Sequence, residues 1–175
     1  SLADLADPRK NARLRAVFDA LEAHGIDALI SIGGDDTLKT ANYLYRIQER
    51  VPGLRPVRIV HLPKTIDNDY FGIDWTFGHI TAADFAAREV RQIRADSKSM
   101  STWWVLEIMG RKAGWLTYAA AIGGEACRML SVEDFPEVFD PARAAEGVGD
   151  LILARAADGK KHGVVCLAEG LADHV

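Results

Sequence analysis

Three observations predict an α/β fold with parallel strands. Segments of helical period alternate along the chain with short Ile-, Leu- and Val-rich runs, which calls for a sheet layered with helices. Gly or Pro stands where those runs end, at Gly33-Gly34, Pro63 and Gly110. The composition, 49% hydrophobic and 26% charged over 175 residues, is that of an ordinary folded domain rather than a disordered or fibrous chain.

Leu14, Val17, Phe18 and Leu21 make an i, i+3, i+4, i+7 stripe and predict a helix over Arg9–Ala23. Asp7-Pro8 offers its N-cap and first residue, and Gly25 its stop. Ile26–Ile32 reads as a strand buried on both faces. A second helix carries Leu38, Ala41, Leu44 and Tyr45 on one side, and Val57–Leu62 reads as a strand closed by Pro63. Thr81 with Asp84 spells a capping box before Phe85, Ala86, Val90 and Ile93, so a third helix is expected over 81–95. Trp103–Ile108 follows as a strand, Ala113–Ile122 as a helix and Ala126–Leu130 as a weak strand. A helix from Pro141 to Ala157 and a strand over Gly163–Ala168 complete the pattern. The best boundary between domains is the loop Gly72–Gly78.

Charge narrows the function. The 21 Lys and Arg against 25 Asp and Glu give −4, which speaks against nucleic acid and against a polybasic membrane face. The longest uncharged stretch, Ala113–Gly124, is too short to span a bilayer, and no secretory signal opens the sequence. Cys127 and Cys166 stand apart as small hydrophobes of a reducing, cytoplasmic compartment. The five histidines make no pair at metal-ligand spacing and read as structural or exposed.

Ligands of open parallel sheets bind beyond the carboxyl ends of strands, so the segments leaving strands carry the chemistry. In Gly33-Gly34-Asp35-Asp36-Thr37, paired glycines let a phosphate approach the backbone. The helix start offers free N–H groups, and a carboxylate can hold Mg²⁺. The plainer alternative is a tight turn with Asp36 or Thr37 as N-cap. In Pro63-Lys64-Thr65-Ile66-Asp67-Asn68-Asp69, an extended backbone would aim Asp67 and Asp69 to one side, a carboxylate pair suited to deprotonating an alcohol beside a cation. Its alternative is a solvated Asx turn, against which Lys64 and Thr65 suit an anionic phosphate. In Glu107–Trp115, Arg111 sits where a strand yields to a helix; a cation there opposes the helix dipole and calls for an anionic partner such as a phosphoryl group. Met109 suits core filling or a sugar pocket equally.

Gly-Gly-Asp-Asp-Thr, Pro-Lys-Thr-Ile-Asp-Asn-Asp and Met-Gly-Arg, in this order, resemble the 6-phosphofructokinase family, and specifically its pyrophosphate-dependent branch, over about residues 10 to 170. NAD kinases and lipid kinases share the first motif but lack the other two. The resemblance implies a three-layer α/β/α, Rossmann-like fold with parallel sheets. It also implies Mg²⁺-dependent transfer of a phosphoryl group from pyrophosphate to the 1-hydroxyl of fructose 6-phosphate. By matching positions Asp67 would be the base, Asp35 would ligate Mg²⁺, and Asp69 would support both residues. Thr65 and Arg111 would hold the transferring group; Met109, Gly110 and Glu169 would contact the sugar. Gly34, Asp36, Thr37 and Lys64 would face the donor. ATP users of the resembling family generally carry Gly at the positions of Asp36 and Lys64. An acid at 36 would repel the α-phosphate of a nucleotide, while Lys64 would compensate a compact donor.

The resemblance further implies a partial donor-binding domain over 1–78 and a partial sugar-phosphate-binding domain over 79–175. Members of the family are far longer, carry an earlier Gly-rich phosphate loop, and grip the 6-phosphate with later Arg and His residues. The chain thus resembles the middle of a subunit that is a homo-oligomer at full length. Thr102 replaces an Arg that reaches a neighbouring subunit in short bacterial members, which argues against carrying over their inter-subunit contacts. Alternatives are the ATP-dependent enzyme, a non-catalytic phosphosugar-binding scaffold, and sedoheptulose 7-phosphate as the sugar.

Overall fold

The computed structural model describes residue 5, residues 7–135 and residues 137–174. The chain forms two compact units, Ser1–Lys64 and Thr65–Val175.

In the first unit, helix α1 (Ala12–Ala23) leads into strand β1 (Ala28–Gly33), helix α2 (Asp35–Gln48) and strand β2 (Arg58–Thr65). The helix starts later than Asp7-Pro8 suggests. Asp7 instead closes a separate turn, its Oδ1 accepting from the Arg9 amide at 2.9 Å and its carbonyl from the Lys10 and Asn11 amides. Asn11 then stands at the N-cap with its side chain turned away, donating to the Leu5 carbonyl at 2.7 Å. Strands β1 and β2 pair in parallel from Ala28 opposite Arg58 to Gly33 opposite Pro63. Pro63 therefore lies inside β2 instead of ending it, because its fixed φ suits extended chain and a strand end tolerates one missing donor.

Helices α1 and α2 pack Phe18, Leu44 and Ile47 over Leu29 and Ile59, with Val51 and Val57 closing the core. Strand β1 is not buried on both faces as its composition suggests: Ile30 and Ile32 are 64% and 60% exposed, because the helices of this unit cover only the Leu29 side. Tyr45, expected on the buried face of α2, is half exposed; Ile47 takes that place.

The second unit runs through strand β3 (Phe77–Gly78), helix α3 (His79–Met100), strand β4 (Trp103–Ile108) and helix α4 (Trp115–Gly124). Strand β5 (Arg128–Leu130), helix α5 (Pro141–Ala157) and strand β6 (Gly163–Ala168) follow. Its parallel sheet has the order β4-β6-β5, so β6 is central and reads as nearly continuous burial. Helices α3 and α4 pack on one face, setting Val90, Ala120 and Ala121 against Val164 and Cys166. Each of the buried valines among them contributes about 1.5–3 kcal/mol. Helix α5 reaches the opposite face at Trp103, whose ring lies 5.8 Å from the Arg155 guanidinium.

Helix α5 keeps its expected bounds because Asp140 caps it, accepting from the Ala142 and Arg143 amides, with Pro141 at the first turn. The Thr81–Asp84 capping box does not form. Gly78, at φ 101°, is the N-cap of α3, which starts early enough to place Thr81 inside the helix, and Asp84 pairs with Arg88. Both cysteines are free: Cys166 is fully buried, which pushes its thiol up to about 11, and Cys127 is half-buried. Among the described residues no helix is long and apolar enough to cross a membrane.

Candidate functional site

In the first unit, register places Gly33 opposite Pro63, so the Gly33–Thr37 turn and the Lys64 end of β2 leave neighbouring strand ends. Gly33 is required by close approach: the Thr37 side chain packs where a Cβ would stand. Gly34 is under no such pressure, its nearest neighbour being the Lys64 carbonyl oxygen at 3.8 Å from a Cβ position. It is Gly34, not Asp36 or Thr37, that stands at the N-cap of α2, and no side chain caps that end. The first-turn amides thus form the uncapped, positive end of a helix, the arrangement that accepts phosphate. Asp35 and Asp36 complement the dipole from the same turn and share Lys39, at 3.0 and 3.3 Å. The two carboxylates hold the Lys39 ammonium's proton more tightly than usual. Asp36 stands almost fully in solvent, and Lys64 is exposed.

In the second unit, the residues after β2 are not extended. The chain bends at Ile66–Asp67 and Asn68 takes a left-handed conformation, φ 56°. Asn68 suits that position because its short amide bonds locally. Its Nδ2 donates to the Asp74 carbonyl at 3.0 Å, and its Oδ1 accepts from the Thr76 amide at 2.8 Å. Buried Thr76 donates from Oγ1 to the Thr65 carbonyl at 2.7 Å, and Thr65 Oγ1 accepts from the Asp67 amide at 3.2 Å. The Asx function thus falls to Asn68, and the Asp67 carboxyl takes no part in stapling the turn.

Asp67 is half-buried, and its carboxyl is raised above the usual range. Lost hydration is the main cause; the charges of Asp69 and Glu169 add to it, and His79 opposes them. The acids therefore act on one another although the backbone is not the extended one that would align Asp67 with Asp69.

Strands β4 and β6 place the other motifs side by side, since Ile108 is the register partner of Ala168. Met109-Gly110-Arg111 and Glu169-Gly170 emerge together at the carboxyl end of this sheet. Gly110 is buried at φ 131°, where a side chain would run into the Ala113 carbonyl, and a Cβ on Gly170 would overlap the Arg111 carbonyl. The two turns are thus packed backbone to backbone. Arg111 precedes α4 by four residues, so the helix dipole does not bear on it; its guanidinium is exposed and lies 3.8 Å from Asp173. Met109 is exposed rather than core filling, and Glu169 is half-buried.

The sequence reading missed several supports. Lys39 carries a readable signal, three and four residues after two acids. The role of Asn68 is readable in hindsight as a residue that tolerates left-handed backbone. Thr76 and His79 carry none, since their partners are set by folding. Among the described residues no group of three or more His, Cys, Asp or Glu is arranged to hold a metal ion by itself.

A family model described as Phosphofructokinase matches residues 4–175. The chain is 35% identical over 165 residues to the ATP-dependent 6-phosphofructokinase of Hamiltonella defensa subsp. Acyrthosiphon pisum (strain 5AT), covering 94% of this chain and 46% of that one. It is 36% identical over 159 residues to that of Mycobacterium tuberculosis (strain ATCC 25618 / H37Rv), covering 91% and 42%. The chain thus spans under half the length of these curated relatives. In three dimensions it is similar to the phosphofructokinase of Saccharomyces cerevisiae, with a TM-score of 0.78 and 28% identity over 93% of this chain and 24% of that one. It also shares its fold with the pyrophosphate-dependent phosphofructokinase of Nitrosospira multiformis, at a TM-score of 0.76 and 24% identity over 94% and 41%. The fold is the three-layer α/β/α arrangement of these neighbours.

Proposed function

The chain belongs to the phosphofructokinase family, and from that premise we propose that it moves a phosphoryl group onto the 1-hydroxyl of fructose 6-phosphate, giving fructose 1,6-bisphosphate. The observation that carries this reading is the Asp67 carboxyl, half-buried, raised by burial and crowded by Asp69 and Glu169. A carboxyl shifted toward neutral pH is suited to take a hydroxyl proton in the transition state.

In this reading Asp67 accepts the proton of the 1-hydroxyl while the hydroxyl oxygen bonds to phosphorus and the donor's bridging P–O bond breaks, the bridging oxygen leaving with the rest of the donor as orthophosphate. Thr65 and Arg111 hold the phosphoryl oxygens, and the Arg111 guanidinium spreads their charge across two parallel hydrogen bonds. Met109, Gly110 and Glu169 contact the sugar, and Asp69 keeps Asp67 basic. Gly34, Thr37 and Lys64 face the donor. We propose residues 1–78 as a partial donor-binding domain and residues 79–175 as a partial sugar-phosphate-binding domain.

Asp35 is the residue that would hold Mg²⁺. The fit rests on its chemistry: an exposed hard-oxygen ligand whose carboxylate already attracts a cation, Lys39 at 3.0 Å. Such an exposed pair is opened at little cost. One or two carboxylates completed by phosphate oxygens are the usual Mg²⁺ set, which agrees with the lack of a three-ligand group among the described residues. When bound, the ion supplies charge neutralisation at the phosphate oxygens.

Pyrophosphate is our donor. An exposed Asp36 carboxylate at the helix start supports it, since it places negative charge where a longer donor would pass, and Lys64 adds a cation. The names of the curated relatives favour ATP as a second reading. A coupled assay of fructose 1,6-bisphosphate formation separates the two. Faster turnover with pyrophosphate is expected, and Asp36→Gly with Lys64→Gly should move selection toward ATP. A preference of the unmodified protein for ATP overturns the donor, and no product with either donor overturns the reaction. Calorimetric binding of fructose 6-phosphate without turnover would then favour a phosphosugar-binding scaffold.

A further inference from the structure

His79 is a titratable side chain that the mechanism above does not use, and it is almost wholly buried, 2% exposed, at the first position of α3. The preceding residue, Gly78 at φ 101°, turns the chain so that this side chain points back at the acid turn. Its Nδ1 lies 2.7 Å from the Ile66 carbonyl oxygen. A carbonyl can only accept, so Nδ1 carries the proton and donates. Trp75 stacks on the ring with centroids 5.6 Å apart and planes 15° from parallel, which leaves the imidazole little freedom to turn. The Ile66 carbonyl belongs to the peptide whose nitrogen is that of Asp67, so the bond fixes one side of the peptide leading to the carboxyl. Thr65 fixes the other by accepting from the Asp67 amide at 3.2 Å.

We propose that His79 is a positioning residue for Asp67, holding by one hydrogen bond the peptide that carries the carboxyl. The proposal rests on the reading of Asp67 as the base. Asp69 and Glu169 are the anions that act on the same carboxyl. Asp69, Asp74, Lys112 and Glu133 share with His79 the walls of a cavity of about 650 Å³. Two separable contributions follow: the donated hydrogen bond orients the carboxyl, and the imidazole, when protonated, favours its ionised form.

Two variants separate them. His79→Phe keeps a ring on Trp75 but loses donor and charge; His79→Asn loses the charge and keeps an amide donor near the Nδ1 position. His79→Phe should lower kcat by about tenfold, the worth of one such hydrogen bond, with KM for fructose 6-phosphate unchanged. His79→Asn should recover most of that kcat. The ¹³C titration of the Asp67 carboxyl should move to higher pH in both variants, because both lack the charge. Full kcat in His79→Phe with an unmoved Asp67 titration would overturn the proposal, and so would equal loss of kcat in both variants. If His79→Phe does not fold, His79→Asn decides: a raised Asp67 midpoint with retained kcat supports the proposal, and any other result contradicts it. If the unmodified protein makes no fructose 1,6-bisphosphate, the reading of Asp67 as base fails, and the titration still decides whether His79 acts on Asp67.

Discussion

The turn after β1 and the turn after β2 both present carboxylates, yet they are built on opposite principles. The Gly33–Thr37 turn is shaped by what is missing: no Cβ at Gly33, where Thr37 packs, and no side-chain cap on α2. Its acids are exposed and paired with Lys39. The Thr65–Asp69 turn is shaped by added side chains. Thr76 and His79 bond its backbone, Asn68 ties it to the backbone of Asp74 and Thr76, and its central acid is half-buried with a raised carboxyl. Backbone donors in solvent hold an anion without selecting a proton, whereas a crowded, desolvated acid is equipped to move one.

The largest expected effect falls on the second turn. Asp67→Asn keeps shape and removes the proposed base, so kcat should drop about 10²–10⁴-fold with KM for fructose 6-phosphate little changed, as steady-state kinetics will record. Asn68→Ala should follow, at about 2–3 kcal/mol in chemical denaturation, because it removes the acceptor of the Thr76 amide and puts Ala in left-handed backbone. Gly33→Ala should cost about 1–3 kcal/mol, since Thr37 Cβ as well as its hydroxyl and methyl stand where the new side chain would go and the start of α2 must shift.

A pH comparison sharpens the contrast. The folded-state pKa of Asp67 is raised, so its contribution favours the fold below the ordinary value of 3.8 and is lost as pH rises through the raised midpoint. Asp67→Asn should therefore gain stability relative to the unmodified chain across that window, in melts at stepped pH. Lys39→Ala should be the smallest effect, leaving the denaturation midpoint in place because its partners are solvent-exposed.

What the sequence made legible follows the same division. Features with a local cause were readable: α5 from Asp140-Pro141, β6 from its unbroken apolar run, and β4 to the residue. Features decided by another element were not. Ile30 and Ile32 have the composition of a doubly covered strand but face solvent, since α1 and α2 share one side. Thr81 and Asp84 spell a capping box, but Gly78 starts the helix earlier. In the candidate site, the acid pair, the Met-Gly-Arg turn and Glu169 were proposed from motif and resemblance. Their packing through Gly170 and their support by Thr76 and His79 depend on strand register and on a side chain arriving from α3.

The most direct measurement is the ¹³C titration of the Asp67 side-chain carboxyl, repeated in Glu169→Gln. A half-buried, crowded carboxyl poised as the proposed base requires a midpoint above 3.8 that falls when the Glu169 charge is removed. A midpoint at or below that value, unmoved by Glu169→Gln, would contradict the account.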